Sequence, residues 1–423
     1  MRRFLLAMSM ILLSTIMNAQ FALTGEFRFR PEYRDGYSEL KTKDVDASLL
    51  MAQRTRISSE YIKDWLKVRF SFQDTRLWGS DNQVSSTGMF GNTSSQSFYE
   101  AWVDMSFDTY SSIRIGRQAL DFDDSRILSR RNWNNNGLSY DALKYRYLNK
   151  GWQLDIALSY NNFQTNVFGN EFPGDRLRTL NFIRLNRQFT PSFSASVIGL
   201  ATGVMKSAQS ETIYIKGTYG TNLVFRIENF DIFGSFYYQT GKHRDGMHVS
   251  AWNLNSKATY KLGNWELSAG ISMISGNDNE DTKLNSFDLF YGARHGYYGH
   301  MDYFSKLQPV TNNGGLNDIF TSLRCKISPK TSLYLDYHYF MLNREVMDPH
   351  PTSLFSALDK PLGSEVDLGF IANINDIVSL RGGYSFMVPT ETLKILQTST
   401  TEAEFSTWIW LMLTVKPTFI VSN

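Results

Sequence analysis

Residues 149–162 read NKGWQLDIALSYNN. From Trp152 to Tyr160 every second side chain is apolar (Trp152, Leu154, Ile156, Leu158, Tyr160), with Gln153, Asp155, Ala157 and Ser159 between them. A period of two belongs to an extended strand with one oily face and one wet face. Two surroundings fit such a strand: a dry protein core against water, or lipid against a watery lumen. The connections along the rest of the chain decide between them.

The same alternation recurs in about 18 segments. They span 21–33, 49–61, 66–76, 97–108, 112–120, 139–148, 152–160, 177–188, 192–203, 211–227, 231–241, 249–262, 265–275, 316–327, 331–342, 363–374, 377–387 and 405–416. Short links such as IKDW at 62–65, NKGW at 149–152, FTPS at 189–192, LGNW at 262–265, SPKT at 328–331 and NIND at 373–376 alternate with long ones. The long links, among them 34–48, 77–96, 121–138, 161–176, 276–315, 343–362 and 388–404, are rich in Gly, Asn, Ser and Asp. A sandwich has no reason to hold that rhythm, and a propeller needs a blade repeat that the chain lacks. An outer-membrane barrel has one: short turns at the periplasmic rim, long loops outside, and an even strand number. The sequence therefore reads as all-β, a transmembrane antiparallel up-and-down β-barrel of about 18 strands. The face carrying Trp152 and Leu154 is expected to meet hydrocarbon, and the face carrying Gln153 and Asp155 a watery interior.

Other features agree. Apart from the N-terminal segment, no apolar run approaches the roughly 18 residues of a membrane helix; the longest is WIWLMLTV near the C-terminus. Trp65, Trp152 and Trp265, of nine tryptophans, all stand where a short turn enters the next strand, the station of an interfacial aromatic girdle. Closure follows from lipid itself, because an open sheet edge would leave backbone groups unpaired. The 423-residue chain opens MRRFLLAMSMILLSTIMNAQ, with Arg2 and Arg3 ahead of an apolar stretch and Ala19 before a plausible cut. Residues 1–19 read as a secretory signal and 20–423 as a single outer-membrane barrel domain. Without Arg2 and Arg3, 41 basic residues face 41 acidic ones, so net charge gives no reason to expect nucleic-acid binding. Cys325 is the only cysteine, which excludes an internal disulfide.

Strand parity gives the inner face. The first strand, FALTGEFRFRPEY, puts Glu26, Arg28, Arg30 and Glu32 inward; the second offers Arg54, Arg56, Ser58 and Glu60. The third offers Lys67, Arg69, Ser71 and Gln73, and the fourth Glu100, Trp102 and Asp104. Later strands add Arg114, Lys144, Arg146, Asp155, Arg184, Lys257, Arg324, Lys326, Asp336, His338, Glu365, Asp367 and Arg381. Basic residues outnumber acidic ones on this face, which suits a pore wall attracting carboxylates or other anions. Glu26, Glu60, Glu100 and Asp104 are the acidic partners that could instead neutralise this wall across strands and stiffen it.

Two stretches carry a further signal. IGRQALDFDDSRILSRRNWNNNGLSYDALKYRY at 115–147 has Gly116, Arg117 and Gln118 at a strand end, then Asp124, Arg126, Trp133 and Asn136, then Asp141 and Ala142 opening a strand. FDLFYGARHGYYGHMDYFSK at 287–306 contains Tyr291, Gly292, His295, Gly299, Met301, Asp302 and Tyr303. In these positions, and in layout over nearly all of the chain after the signal, the sequence resembles the alginate export family of outer-membrane porins. The resemblance implies an 18-stranded barrel passing an anionic polysaccharide through an electropositive lumen. The family's exporter type carries a long periplasmic turn late in the barrel that plugs the pore, whereas the periplasmic links here are short. That departure suits an open porin for smaller anionic or sugar-type solutes.

Motifs for chemistry are sparse. His295, His300 and Asp302 lie close in sequence, and a loop fastened inside the barrel mouth explains them better than a metal site. Asp278, Glu280 and Asp281 lack the ligand spacing and glycine of a calcium loop. The expectation is therefore no catalytic residue, no metal and no cofactor. The first strand follows the signal directly, leaving no room for the plug of an energy-driven receptor. The reading is a monomeric passive porin of a Gram-negative outer membrane, in contact with its lipids and lipopolysaccharide. The rivals are an outer-membrane hydrolase and a surface-binding barrel without an open pore.

Overall fold

The structure is a computed structural model that describes residues 19–422 apart from 44, 80–94, 279–280, 290, 350–356 and 399–402. The expected signal segment, except Ala19, and Glu280 lie outside the described residues.

Alternating sequence becomes alternating strand throughout. The strands are β1 (Gln20–Asp35), β2 (Ser48–Lys63), β3 (Leu66–Leu77), β4 (Ser95–Ser106), β5 (Ser111–Gln118), β6 (Tyr140–Asn149), β7 (Trp152–Leu158), β8 (Leu177–Thr190) and β9 (Phe193–Met205). They continue as β10 (Ile213–Ile227), β11 (Phe230–Lys242), β12 (His248–Leu262), β13 (Trp265–Ile274), β14 (Leu316–Ser328), β15 (Thr331–Met341), β16 (Pro361–Asn373) and β17 (Val378–Pro389). The last, β18, runs Ser406–Val415, breaks at Pro417, and resumes as Thr418–Ser422. Proline has no N–H to give a ladder, so the break falls there. Each strand pairs antiparallel with its sequence neighbour. β1 closes the sheet on both segments of β18, with Phe29 opposite Leu413 and Phe21 opposite Ser422. Expected and observed strand ends agree within two residues, except at the C-terminus, where the expected strand stops at 416 and the observed one resumes to Ser422.

The links on one rim are two to four residues long: 64–65, 107–110, 150–151, 191–192, 228–229, 263–264, 329–330 and 374–377. All the long connections leave the other rim, among them 119–139 and 275–315. The outer surface carries the apolar half of each alternation. Phe27, Ile57, Phe70, Leu143, Ile183, Leu335 and Ile409 are exposed, and so are Trp65, Trp152 and Trp265 beside their turns. The inner half is polar in β1–β3, where Arg28, Arg30, Glu32, Arg54, Arg56, Ser71 and Gln73 are buried.

The interior is not watery throughout. At the long-loop end the wall turns apolar (Leu180, Leu200, Ala251, Leu316, Phe340, Trp408), and the 119–139 and 275–315 loops fold down onto it with Leu120, Leu128, Phe287, Met301, Phe304 and Leu307. These buried residues form one contiguous cluster inside the barrel. Strand parity finds the wall but says nothing of loops that enter the lumen. The reason for the difference is ordinary burial: apolar loop residues gain about 25 cal/mol per Å² by leaving water.

Candidate functional site

The two inward loops are stitched to each other before either reaches the wall. The Ala293 N–H donates to the Ser125 carbonyl at 2.8 Å, the Ser129 N–H to the Tyr291 carbonyl at 3.2 Å, and Arg131 Nε to the Gly292 carbonyl at 2.8 Å. The Tyr297 hydroxyl donates to the Asp124 carbonyl. Arg126 sits inside the joint: its guanidinium lies 3.7 Å from the Tyr297 ring centre, Nη1 donates to the Tyr298 hydroxyl at 2.7 Å, and Nε is 3.1 Å from Asp124. Burial, with Arg294 nearby, pulls the Arg131 guanidinium down to about 10.

The basic residues of β1 and β2 hold the first loop. Arg28 donates to the Asn132 carbonyl at 2.6 Å, the Asn134 carbonyl at 3.1 Å and Asn135 Oδ1 at 2.9 Å. Arg30 donates to the Trp133 carbonyl at 2.8 Å and to Glu32 at 2.8 Å, and lies 4.3 Å over the Trp133 ring. Arg54, 1% exposed, binds Glu26 at 2.8 Å and reaches Asn132 Oδ1 at 2.9 Å. Arg56 donates to Gln73 at 2.8 Å and the Asn136 carbonyl at 3.3 Å, and stands 3.7 Å over Tyr99. The RNWNNN run, 131–136, thus presents successive carbonyls to a ladder of fixed guanidinium forks, a strong charge-assisted arrangement. Trp133 also stacks on His295 of the second loop at 3.9 Å between ring centres.

The second loop docks on β16 and on the segment that follows β1. The Met301 N–H donates to Glu365 Oε1 at 2.7 Å, the Ser38 N–H to the Met301 carbonyl at 2.8 Å, and the Tyr303 hydroxyl to the Gly36 carbonyl at 2.5 Å. Tyr37 donates to Asp302, and His295 Nδ1 is 3.1 Å from the other Asp302 oxygen without hydrogen-bond alignment. Gly299 has φ +82°, and a β-carbon there would lie 2.5 Å from the Glu365 carboxyl group, so only glycine lets the loop settle on that acid. His300 is 3.8 Å from Asp367 and 3.9 Å from Asp336; burial pushes its imidazole below the ordinary value despite those carboxylates. Among the described residues no group of three or more His, Cys, Asp or Glu is arranged to hold a metal ion.

Other inward residues fall into two groups. Arg69 bridges Glu60 at 3.1 Å and Glu100 at 3.0 Å, Arg114 binds Asp104 at 2.7 Å, Arg146 binds Asp155 at 2.9 Å, and Arg184 binds Asp123 at 2.6 Å. Lys67, Lys144, Arg324 and Arg381 make no ion pair with a described residue; Lys144 is buried in the wall, and the other three are exposed near the short-turn rim. Below the first loop a cavity of about 570 Å³ is lined by seven cationic side chains (Arg56, Arg69, Arg114, Arg130, Lys144, Arg146, Lys416) against Glu26, Glu100 and Asp121. Above the loops, toward the long-loop rim, a second cavity of about 510 Å³ is lined by Lys216, Lys242, Arg244, Arg294 and Lys306 against Asp175 and Asp288. Cationic surface therefore flanks the packed loops on both sides.

The motif residues divide by role. Gly116 has φ +122°, with room for a β-carbon blocked 2.2 Å away by the Ala101 carbonyl. Arg117 and Asp141 pair in two parallel bonds, 2.9 and 2.8 Å, on the outer surface, while Gln118 is buried inside and donates to the Ala142 carbonyl at 2.9 Å. Asn136 caps the loop, receiving Thr75 and Gln73. His338 meets an acid from the neighbouring strand: Asp318 lies across the strand pair, at 2.9 Å from its Nδ1.

The sequence profile described as "Alginate export" matches residues 19–403. No curated protein matches the sequence. Similar solved structures include OccAB4 of Acinetobacter baumannii, with TM-score 0.61 and 14% identity over 95% of this chain and 98% of that one. OpdL of Pseudomonas aeruginosa has TM-score 0.63 and 11% identity over 95% and 99% of the two chains. OccAB1 of Acinetobacter baumannii has TM-score 0.63 and 11% identity over 95% and 97%. At these identities the likeness concerns the fold.

Proposed function

The chain belongs to the alginate export family, and from that premise we propose that it is a porin of a Gram-negative outer membrane, passing anionic or sugar-type solutes by passive diffusion. The observation that carries the reading is the surplus of basic side chains on both sides of the inward loops: seven against six acidic below, once the ion-pair partners Glu60, Asp104 and Asp155 join Glu26, Glu100 and Asp121, and five against two above. A solute bearing a carboxylate gains from both chambers, and fixed guanidinium groups suit planar carboxylates. A sugar acid such as a uronate is therefore a better candidate than a cation of the same size. The short periplasmic links supply no plug from that side, which favours small solutes over a gated polymer. The working unit is a monomer whose outer face meets lipid and lipopolysaccharide.

Swelling of proteoliposomes tests this with two solutes of like size and opposite charge. Glucuronate is expected to enter faster than glucosamine. Equal rates, or faster glucosamine entry, would remove the basic-lumen reading, and no swelling with either would remove the porin reading.

A further inference from the structure

A third cavity lies beneath the Tyr297–His300 turn, against β11–β15, with a volume of about 280 Å³. It differs from the two cationic chambers in charge. Arg126, Lys257 and Arg324 are balanced by Asp124, Asp318 and Asp336. Two aromatic rings, Phe233 and Phe320, also face it. The strand between them contributes little bulk: a β-carbon on Gly270 would fall 2.4 Å from the Phe320 ring, so that ring lies across the strand and offers its surface to the cavity.

Part of the polar lining is already spent, since Asp318 holds His338 and Asp124 holds Arg126. Asn255 Nδ2 is spent too, on Ser235, but two acceptors are not. Asn255 Oδ1 and Asp336 Oδ1 have no hydrogen-bond partner among the described residues, although both residues are more than nine-tenths buried. Lys257 and Arg324 form no ion pair among the described residues. Buried polar atoms without partners are costly and need explaining. Here two buried acceptors remain beside two rings, with half-buried Lys257 and exposed Arg324 as donors at the edge of the same cavity.

We propose that this cavity is a binding subsite for an uncharged sugar ring. A sugar hydroxyl donates and accepts at once, so it satisfies Asp336 or Asn255 and Lys257 or Arg324 together. The C–H face of a pyranose packs on Phe233 and Phe320 as an apolar surface. The volume of about 280 Å³ lies just below the usual span of ligand cavities, about 300–1,000 Å³, and suits a monosaccharide-sized solute. A zwitterion matches the charge balance but leaves part of the hydrogen-bonding set unmet. The subsite deepens the porin reading, since it rests on solutes reaching the lumen, and it gives neutral sugars a station that the cationic chambers do not.

Saturation-transfer NMR of the full chain in detergent micelles tests it, with glucose and maltose as probes and glycine and phenylalanine as rivals. Transfer to the sugar ring protons is expected, and Phe320→Leu and Asp336→Asn should each weaken sugar binding about tenfold, with heat-modifiable gel mobility showing that the variants fold. No transfer to either sugar, undiminished transfer in both folded variants, or transfer to phenylalanine alone would overturn the proposal. Binding in micelles does not depend on conductance, so failure here leaves the porin reading standing, and absent swelling leaves this result standing.

Discussion

Replacing Arg28 with methionine separates two roles that an inward arginine can play. In the structure Arg28 is a fastener: its three hydrogen bonds, at 2.6, 3.1 and 2.9 Å, all end on the 132–135 segment. Methionine keeps much of the side-chain length and leaves three acceptors without their donor. Allowing about 1 kcal/mol for each acceptor, since lumen water recovers part of the loss, the docked loop loses about 3 kcal/mol. That is on the order of a hundredfold in the ratio of docked to released loop. Arg54 still reaches the Asn132, Asn134 and Asn135 carbonyls, but only at 3.3 to 3.4 Å. Partial release is therefore expected. Single-channel recording should show larger mean current and more flicker than the parent, with heat-modifiable mobility unchanged. Unchanged conductance and steadiness, with anion preference alone reduced, would show that Arg28 acts as a bare lumen charge and would sink the fastening argument.

Three further outcomes are expected. Gly299→Ala forces a β-carbon against Glu365 at a positive φ, so the second loop should undock; protease cleavage within 275–315 should quicken, and unchanged cleavage would contradict this. Acid should loosen the same loop. Buried His300 is held below its ordinary value of 6.5, so the docked loop stays neutral there while a released loop takes up a proton, and docking weakens as pH falls below about 6.5. Asp336, Asp367, His295 and Tyr334 surround that imidazole; noise that rises from pH 7.5 to 5.5 in the parent but not in His300→Gln is the readout, and equal noise at both pH values would exclude it. Lys144→Met removes one of seven cations from the lower chamber and should lower anion preference without reversing it; an unaltered preference would place the solute path elsewhere.

The barrel is legible in the sequence because each strand touches two solvents, and the pleat writes both into every second residue. The 152–160 stretch shows it: Asp155 is fully buried inside, and Leu158 is exposed outside. Turn length adds the rest, since a two-residue link cannot do what a 41-residue connection such as 275–315 does. The inner basic residues follow from the same parity, and Glu26–Arg54, Glu60–Arg69 and Glu100–Arg69 are cross-strand pairs of the expected kind. The loop partners of Arg28 and Arg56 are not legible in this way. They are acceptors on the 132–136 segment, more than 75 residues away, on a loop whose path has no period. The RNWNNN run, dense in amides beside a tryptophan, is the one local hint that this segment satisfies its polar groups inside the barrel. Likewise Glu365 and Met301 meet only because an apolar face drives the second loop inward, and strand parity does not record that face.

The most direct test is the reversal potential of the reconstituted channel under a tenfold gradient of potassium chloride. A steady conductance with a potential of the sign set by chloride is the expected result. A potential of the opposite sign would contradict selection by the lumen's arginines and lysines, and a silent bilayer would contradict transport itself.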